Sequence, residues 1–277
     1  AMPEGDTIYR IAEVMRRTLR DDVIVSARGR PGGAQLERLV GARVDRVTTR
    51  GKHLLIGFDD GLTVHTHLAM DGTWHRYRPA ERWRLRPDEA VAVLETSRAV
   101  AVCFNAPTVE LVETKALELH PVLARLGPDL LDPDFDVDAA TAGLGSSHET
   151  IAEALLDQRL VSGIGNVYRS ELLFEFGQDP FTPATALTRE RAQALLESAR
   201  RLLVANVGAG DRVTMPDASG ATPDVSAAGS RNFDRWVYRR AGRPCRRCGT
   251  RIASRSLGRL PRRLYWCPAC QASSSVR

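Results

Sequence analysis

The stretch Leu156-Asp157-Gln158-Arg159-Leu160-Val161-Ser162-Gly163-Ile164-Gly165-Asn166-Val167-Tyr168-Arg169-Ser170-Glu171 decides how the second half of the chain is built. Gly163 and Gly165 stand between the end of a short apolar helix and a new helix read over Ile164 to about Phe176. Glycine there lets the backbone approach a ligand closely. The new helix begins near Gly165-Asn166, so its N-terminal N–H groups and positive dipole end face outward, and Asn166 adds a side-chain donor. The pattern predicts a helix–two-turn–helix clamp for phosphate. An ordinary glycine-containing helical turn fits the same residues until the other motifs are weighed.

Working outward, Ser147 can cap a helix over 149–157 before this turn. After it, Thr188 can cap a long helix whose apolar face is Ala192, Leu195, Leu196, Ala199, Leu202 and Leu203. Residues 208–230, rich in Gly, Ala, Ser, Asp and Pro, read as a long loop that is either a linker or a lid. Then come two C-x2-C knuckles, Cys245/Cys248 and Cys267/Cys270, with eighteen residues between them. Four thiolates of this spacing predict one closed, tetrahedral, structural Zn2+ site with no open position for catalysis. Arg251, Arg255, Arg259, Arg262 and Arg263 lie between the knuckles on an expected β-hairpin, and arginine suits bidentate phosphate binding.

Before about residue 115 the chain reads as antiparallel β. Arg43-Val47, His53-Phe58, a turn at Asp59-Asp60-Gly61 and the alternating Leu62-Leu68 lead on to Val91-Leu94, Ala99-Phe104 and Val109-Val112. Cys103 has the character of a buried strand residue, and His67 that of a strand histidine outside any metal site. Ahead of the strands, Asp6 or Thr7 can cap a helix to about Leu19 with Ile8, Ile11, Ala12, Met15 and Leu19 on one face. Gly127, Pro128, Pro133 and the nearby aspartates mark a boundary. The expected fold is α+β. An N-terminal β-sandwich with an attached helix (1–127) precedes a helix–two-turn–helix domain (128–240) and a zinc finger (241–277).

The extreme N-terminus carries the chemistry. Removal of Met2 would leave Pro3 with a secondary amine able to attack an aldehyde-like carbon and form an iminium ion. Glu4 beside it is a candidate proton shuttle. Ala1 reads as a cloning remnant; with Ala1-Met2 attached, the Pro3 nitrogen is an amide and the protein is expected to be inactive.

The chain of 277 residues has 39 Lys+Arg against 34 Asp+Glu. From Arg231 onward it holds thirteen arginines and one acid, Asp234, a basic surface suited to a phosphate backbone. No apolar run approaches the length of a bilayer span, and with no signal peptide the expectation is a cytoplasmic, nucleoid-associated monomer.

These pieces together resemble the formamidopyrimidine-DNA glycosylase/endonuclease VIII family. The resemblance rests on the Pro3-Glu4-Gly5 start, Arg50-Gly51-Lys52 before a strand, and the 163–168 turn. Val237-Tyr238-Arg239-Arg240-Ala241-Gly242-Arg243-Pro244-Cys245 and the finger complete it. The start and Tyr265-Trp266-Cys267-Pro268 lean to the endonuclease VIII branch. The resemblance implies a base-excision-repair DNA glycosylase and abasic-site lyase, with oxidised pyrimidines favoured. Pro3 would attack C1′, Glu4 would shuttle protons and Lys52 would sit near the amine and the lesion phosphate. Asn166 and Gly165 would bind phosphate, and Arg262 would clamp the backbone, with Arg259 or Arg263 as alternatives. β- and δ-elimination would follow from the Schiff base. Tyr168 would support the core or groove.

Two departures bear on activity. A second family acid, three residues after Glu4, is replaced by Thr7, with Asp6 displaced beside it. Met70 matches a position that fills the gap left by a flipped base, although a plain core residue reads equally well, and Asn105-Ala106-Pro107 offers no large partner. An incomplete wedge favours bubbles, single strands and abasic sites, where unstacking is cheaper. The rival reading is a non-catalytic reader of damaged or single-stranded DNA. It leaves the Pro3-Glu4 pair and Lys52 without a task.

Overall fold

The computed structural model describes residues 3–208, 212–215, 235–258 and 261–272. Ala1, Met2, Arg259 and most of the expected 208–230 loop lie outside the described residues. The chain divides into two compact units, Ala1–Arg125 and Leu126–Arg277.

In the first unit, α1 (Gly5–Leu19) buries Ile8, Ala12, Met15 and Leu19, one stripe at helical spacing. Its N-cap is Glu4, not Asp6 or Thr7, which lie in the first turn; Asp6 is buried and pairs with Arg10 at 3.9 Å, so it serves inside the helix.

Eight strands follow: β1 (Ile24–Gly29), β2 (Val44–Arg50), β3 (His53–Phe58), β4 (Leu62–His67), β5 (Thr73–Tyr77), β6 (Ala90–Thr96), β7 (Val100–Phe104) and β8 (Thr108–Glu113). They form two antiparallel sheets, β1-β6-β7-β5 and β2-β3-β4-β8. Val44, Val47, Leu54, Ile56 and Val64 from one sheet share a core with Ile24, Trp74, Leu94, Ala101 and Cys103 from the other and with α1. Each large apolar side chain so buried stabilises the sandwich by about 1.5–3 kcal/mol. The central β3 is buried at every position, so it shows no alternation. Cys103 is fully buried, as expected, and burial pushes its thiol well above its ordinary range.

The second unit holds α2 (Val137–Gly145), α3 (Ile151–Ala154), α4 (Asn166–Glu175) and α5 (Arg189–Ala205), then β9 (Ala253–Leu257) and β10 (Arg262–Trp266). Thr188 caps α5, accepting from Arg191 N at 3.2 Å. The cap of α3 is Thr150 rather than Ser147, and α3 is shorter than the sequence suggested. The reason is tertiary: Thr150 bridges to Pro183, and Ile151 N donates to the Thr182 carbonyl at 2.8 Å, which fixes where the helix starts. Leu144, Ile151, Leu155, Leu172, Leu195 and Leu203 make the core, with Leu264 of β10. Among the described residues no helix is long and apolar enough to cross a membrane.

Candidate active site and metal centre

Pro3 and Glu4 are both buried, and Glu4 is fully inaccessible at the head of α1. The Glu4 carbonyl accepts from Ile8 N at 3.1 Å, the first turn of the helix. Ile8 and Ala12 then anchor that turn in the sandwich core. Residues near a chain end are normally loose; here burial holds Pro3 and Glu4 in place.

Lys52 occupies the tip of the β2–β3 hairpin. Arg50 and His53 are paired, Gly51 and Lys52 form the two-residue turn between them, and Gly51 takes a left-handed φ of 56°. Only a residue without Cβ adopts that conformation cheaply, which is why Gly51 precedes the lysine. The half-buried Lys52 lies close enough to His53 and His67 for its charge to lower both.

Those histidines belong to a string the sequence reading left unconnected. His53 Nδ1 and His65 Nε2 are 2.8 Å apart, and His65 Nδ1 meets Glu110 Oε2 at 2.7 Å. His120 Nε2 reaches the same oxygen at 3.0 Å, and His67 lies against His53 with ring centroids 4.7 Å apart. Burial, then the neighbouring positive charges, push His53 down to about 3. The available signal was His65-Thr66-His67 on an alternating strand, paired in register with His53.

Met70 is 52% exposed and so is not a core residue. It sits in a tight turn where Gly72 N donates to the Leu68 carbonyl at 2.9 Å. A Cβ on Gly72 would stand 3.0 Å from Ala106 Cα, so the Met70 turn packs against the 105–107 turn. The structure thus brings Met70, matched to a gap-filling position, beside the 105–107 segment, which offers no large side chain. Asn105 is tied back, its Nδ2 donating to Glu89 Oε1 at 3.2 Å.

In the second unit, Gly163 has a φ of 107° and Gly165 is the N-cap of α4, as the glycine spacing predicts. Asn166 Nδ2 donates to the Arg263 carbonyl at 2.9 Å, and Asn166 Oδ1 accepts from the Arg169 guanidinium. The helix start is therefore bonded directly to β10. Arg262 and Arg263 are adjacent on that strand, so their side chains leave on opposite faces. Arg262 shares its face with the buried Leu264, which packs in the helical core, whereas Arg263 is exposed on the other.

The finger's other arginines are partly committed to holding it together. Arg255 lies over Phe181 at 4.1 Å and Arg247 over Phe174 at 4.5 Å. Arg251 donates to the Gly242 carbonyl, and Arg240 to Trp236 and Pro244. Glu171, which the sequence reading passed over, is fully buried on α4. It accepts from Thr214 Oγ1 and from the backbone N–H groups of Trp236, Val237 and Tyr238 at 2.6–2.9 Å. Its signal was an acid directly before the apolar Leu172-Leu173-Phe174 of the same helix.

The four cysteines converge. Cys245 Sγ and Cys270 Sγ are 3.9 Å apart, Cys248 Sγ and Cys267 Sγ 3.5 Å, and all four sulfurs lie within 4.8 Å of one another. Thiolates about 2.3 Å from one tetrahedral ion stand at about this spacing.

Residues 2–108 match the model of the formamidopyrimidine-DNA glycosylase N-terminal domain, and residues 126–216 that of the formamidopyrimidine-DNA glycosylase H2TH domain. A Streptomyces coelicolor protein named probable endonuclease 8 2 is 40% identical, across 100% of this chain and 96% of its own. The Mycolicibacterium smegmatis DNA-(apurinic or apyrimidinic site) lyase Nei2 is 35% identical, across 99% and 100%. The structure of Lactococcus lactis formamidopyrimidine-DNA glycosylase bound to DNA with an abasic site superposes with a TM-score of 0.79. It is 21% identical and covers 97% of this chain and 99% of that one. That likeness concerns the fold.

Proposed function

The chain belongs to the formamidopyrimidine-DNA glycosylase family, and from that premise we propose that it excises oxidised bases from DNA and cleaves the abasic strand through a Schiff base on Pro3. The observation that carries this reading is the burial of Pro3 and Glu4 at the head of a helix anchored in the sandwich core. An amine nucleophile at a chain terminus is effective only when it is held against its target.

The free Pro3 nitrogen attacks C1′ of a nucleotide turned out of the stack, the C1′–base bond breaks, and the base leaves with a proton. Opening of the C1′–O4′ bond, with a proton passed to O4′, then gives the iminium, which acidifies the C2′ hydrogens. Loss of one expels the 3′ phosphate by β-elimination, and a second elimination expels the 5′ phosphate. Glu4 carries the protons in these steps. Lys52 stands at the lesion phosphate. Gly165 and Asn166 supply N–H donors to the backbone, and Arg262, on the same face of β10 as Leu264, is the finger's clamp in preference to Arg263.

The four-cysteine centre fits Zn2+: four thiolates, tetrahedral spacing and no water position. Zinc there would fold the finger and do no chemistry. The exposed Met70 with a tied-back Asn105 favours abasic, bubble and single-stranded substrates over intact duplex. Oxidised pyrimidines are the favoured bases, on the resemblance of the Pro3-Glu4-Gly5 start and Tyr265-Trp266-Cys267-Pro268 to the endonuclease VIII branch.

The test is borohydride trapping on single-stranded DNA with one abasic site. Protein beginning at Pro3 should give a covalent adduct, and protein retaining Ala1-Met2, whose Pro3 nitrogen is an amide, should not. An adduct from both would move the nucleophile to a lysine. No adduct with tight DNA binding retained would replace the enzyme with a non-catalytic reader of damaged DNA.

A further inference from the structure

His65 on β4 and Glu110 on β8 are cross-strand partners, and His120 arrives from the turn after the 3-10 segment Thr114–Leu119. Glu110 Oε2 lies 2.7 Å from His65 Nδ1 and 3.0 Å from His120 Nε2, and the three donor atoms are all within 4.8 Å of one another. We propose that His65, Glu110 and His120 bind one divalent transition-metal ion, separate from the four-cysteine centre.

Four observations carry this. The spacing fits, because donors about 2.0–2.2 Å from a shared ion and at right angles to each other stand about 3 Å apart. The donor set fits, because two imidazoles and one carboxylate on one side of an ion form a triad that leaves further positions to water. The burial is graded: His65 is 1% exposed, the His120 side chain 11% and that of Glu110 44%, so the back of the site is rigid and its carboxylate opens to solvent. The support fits too. His65's other ring nitrogen is held by His53 at 2.8 Å, and His53 is backed by His67, as ligating imidazoles are normally fixed through the nitrogen that does not bind.

The protonation states agree with the geometry. Burial keeps His65 below its ordinary range, and the bonds from His65 and His120 hold Glu110 below the usual carboxylate range against the opposing effect of burial. A neutral imidazole and a carboxylate are the ligating forms. Without an ion, His120 Nδ1 accepts from Val122 N and Leu123 N at 3.3 Å, so its proton sits on Nε2 and points at Glu110. Binding through Nε2 moves that proton to Nδ1, where it meets the Val122 and Leu123 N–H groups, so the ring must turn away from them and the site is weaker than four thiolates; it weakens further as pH falls, because a protonated imidazole does not ligate. The ion also takes His65 Nδ1, which moves the ring proton to Nε2 and turns His53 from donor to acceptor. The groups facing the string are then Lys52 and His67, so a positive charge arrives two imidazoles from Lys52.

The test uses full-length protein with its finger zinc-loaded, titrated with Co2+ and assayed by elemental analysis and visible absorption. The expected result is a second ion per chain. Its absorption should be that of nitrogen and oxygen ligands, with no thiolate charge-transfer band. Its affinity should fall at least tenfold in Glu110→Gln and in His120→Asn, two substitutions at partly exposed positions. On the unsubstituted protein, sub-stoichiometric Co2+ should broaden the His65 and His120 imidazole resonances before all others. Binding that stops at the finger's ion, a second ion undiminished in both variants, or imidazole resonances that stay sharp would each overturn the proposal. None of these readouts depends on glycosylase or lyase activity.

Discussion

Asn166, the first residue of α4, donates from Nδ2 to the carbonyl of Arg263 on β10, 2.9 Å away and 97 residues along the chain. The proposed phosphate clamp and the finger hairpin are therefore one hydrogen-bonded piece. Asn166→Ala should loosen β10 and cost roughly 1–2 kcal/mol of DNA binding, about tenfold in affinity. Amide exchange of Leu264 and Tyr265 beside a DNA titration checks both halves. Faster exchange with unchanged affinity would make Asn166 a purely structural residue.

Glu171 concentrates four donors on one buried carboxylate. Glu171→Gln turns an NH2 group towards donors that have lost their acceptor. It should destabilise the second unit by roughly 2–4 kcal/mol. Urea unfolding followed by Trp236 fluorescence reads this loss.

The histidine string makes stability pH-dependent. His53 titrates near 6.5 when unfolded and at about 3 when folded, so between those values the unfolded state binds more protons. Stability is therefore lost as pH falls below about 6.5. His53 alone accounts for about 2 kcal/mol between roughly pH 7.5 and roughly pH 5. His65 and His67 shift in the same direction and add to the loss. Urea midpoints at the two pH values measure it, and His53→Gln should flatten the dependence.

Removing metal from the four-cysteine centre should loosen the pairing of β9 and β10, because Cys267 directly follows β10 and each strand is only five residues long. A strong chelator, or Cys267→Ser, should weaken DNA binding at least about tenfold. Thermal unfolding of the β-sandwich alone should be unchanged, which differential scanning calorimetry tests.

Much of this protein was decided locally and is legible in the residues. The glycine-flanked start of α4, the Thr188 cap, the paired C-x2-C knuckles and the Asp59-Asp60-Gly61 turn each depend on a few neighbouring residues, so a short stretch specifies them. The apolar stripe of α1 is of the same kind. Strands β1 and β5 were missed because they lie at sheet edges and carry polar residues such as Ser26, Arg28, His75 and Arg76, which blunt the alternation. What only the tertiary structure decided are relationships between distant segments. It chose Thr150 over Ser147 as a cap, put Met70 at the surface, and set the Leu264 face of β10 against the helical core. It also gathered His53, His65, Glu110 and His120 into one string. Each of these depends on which backbone groups and side chains are brought within about 3 Å by packing, and distance along the chain carries no record of that.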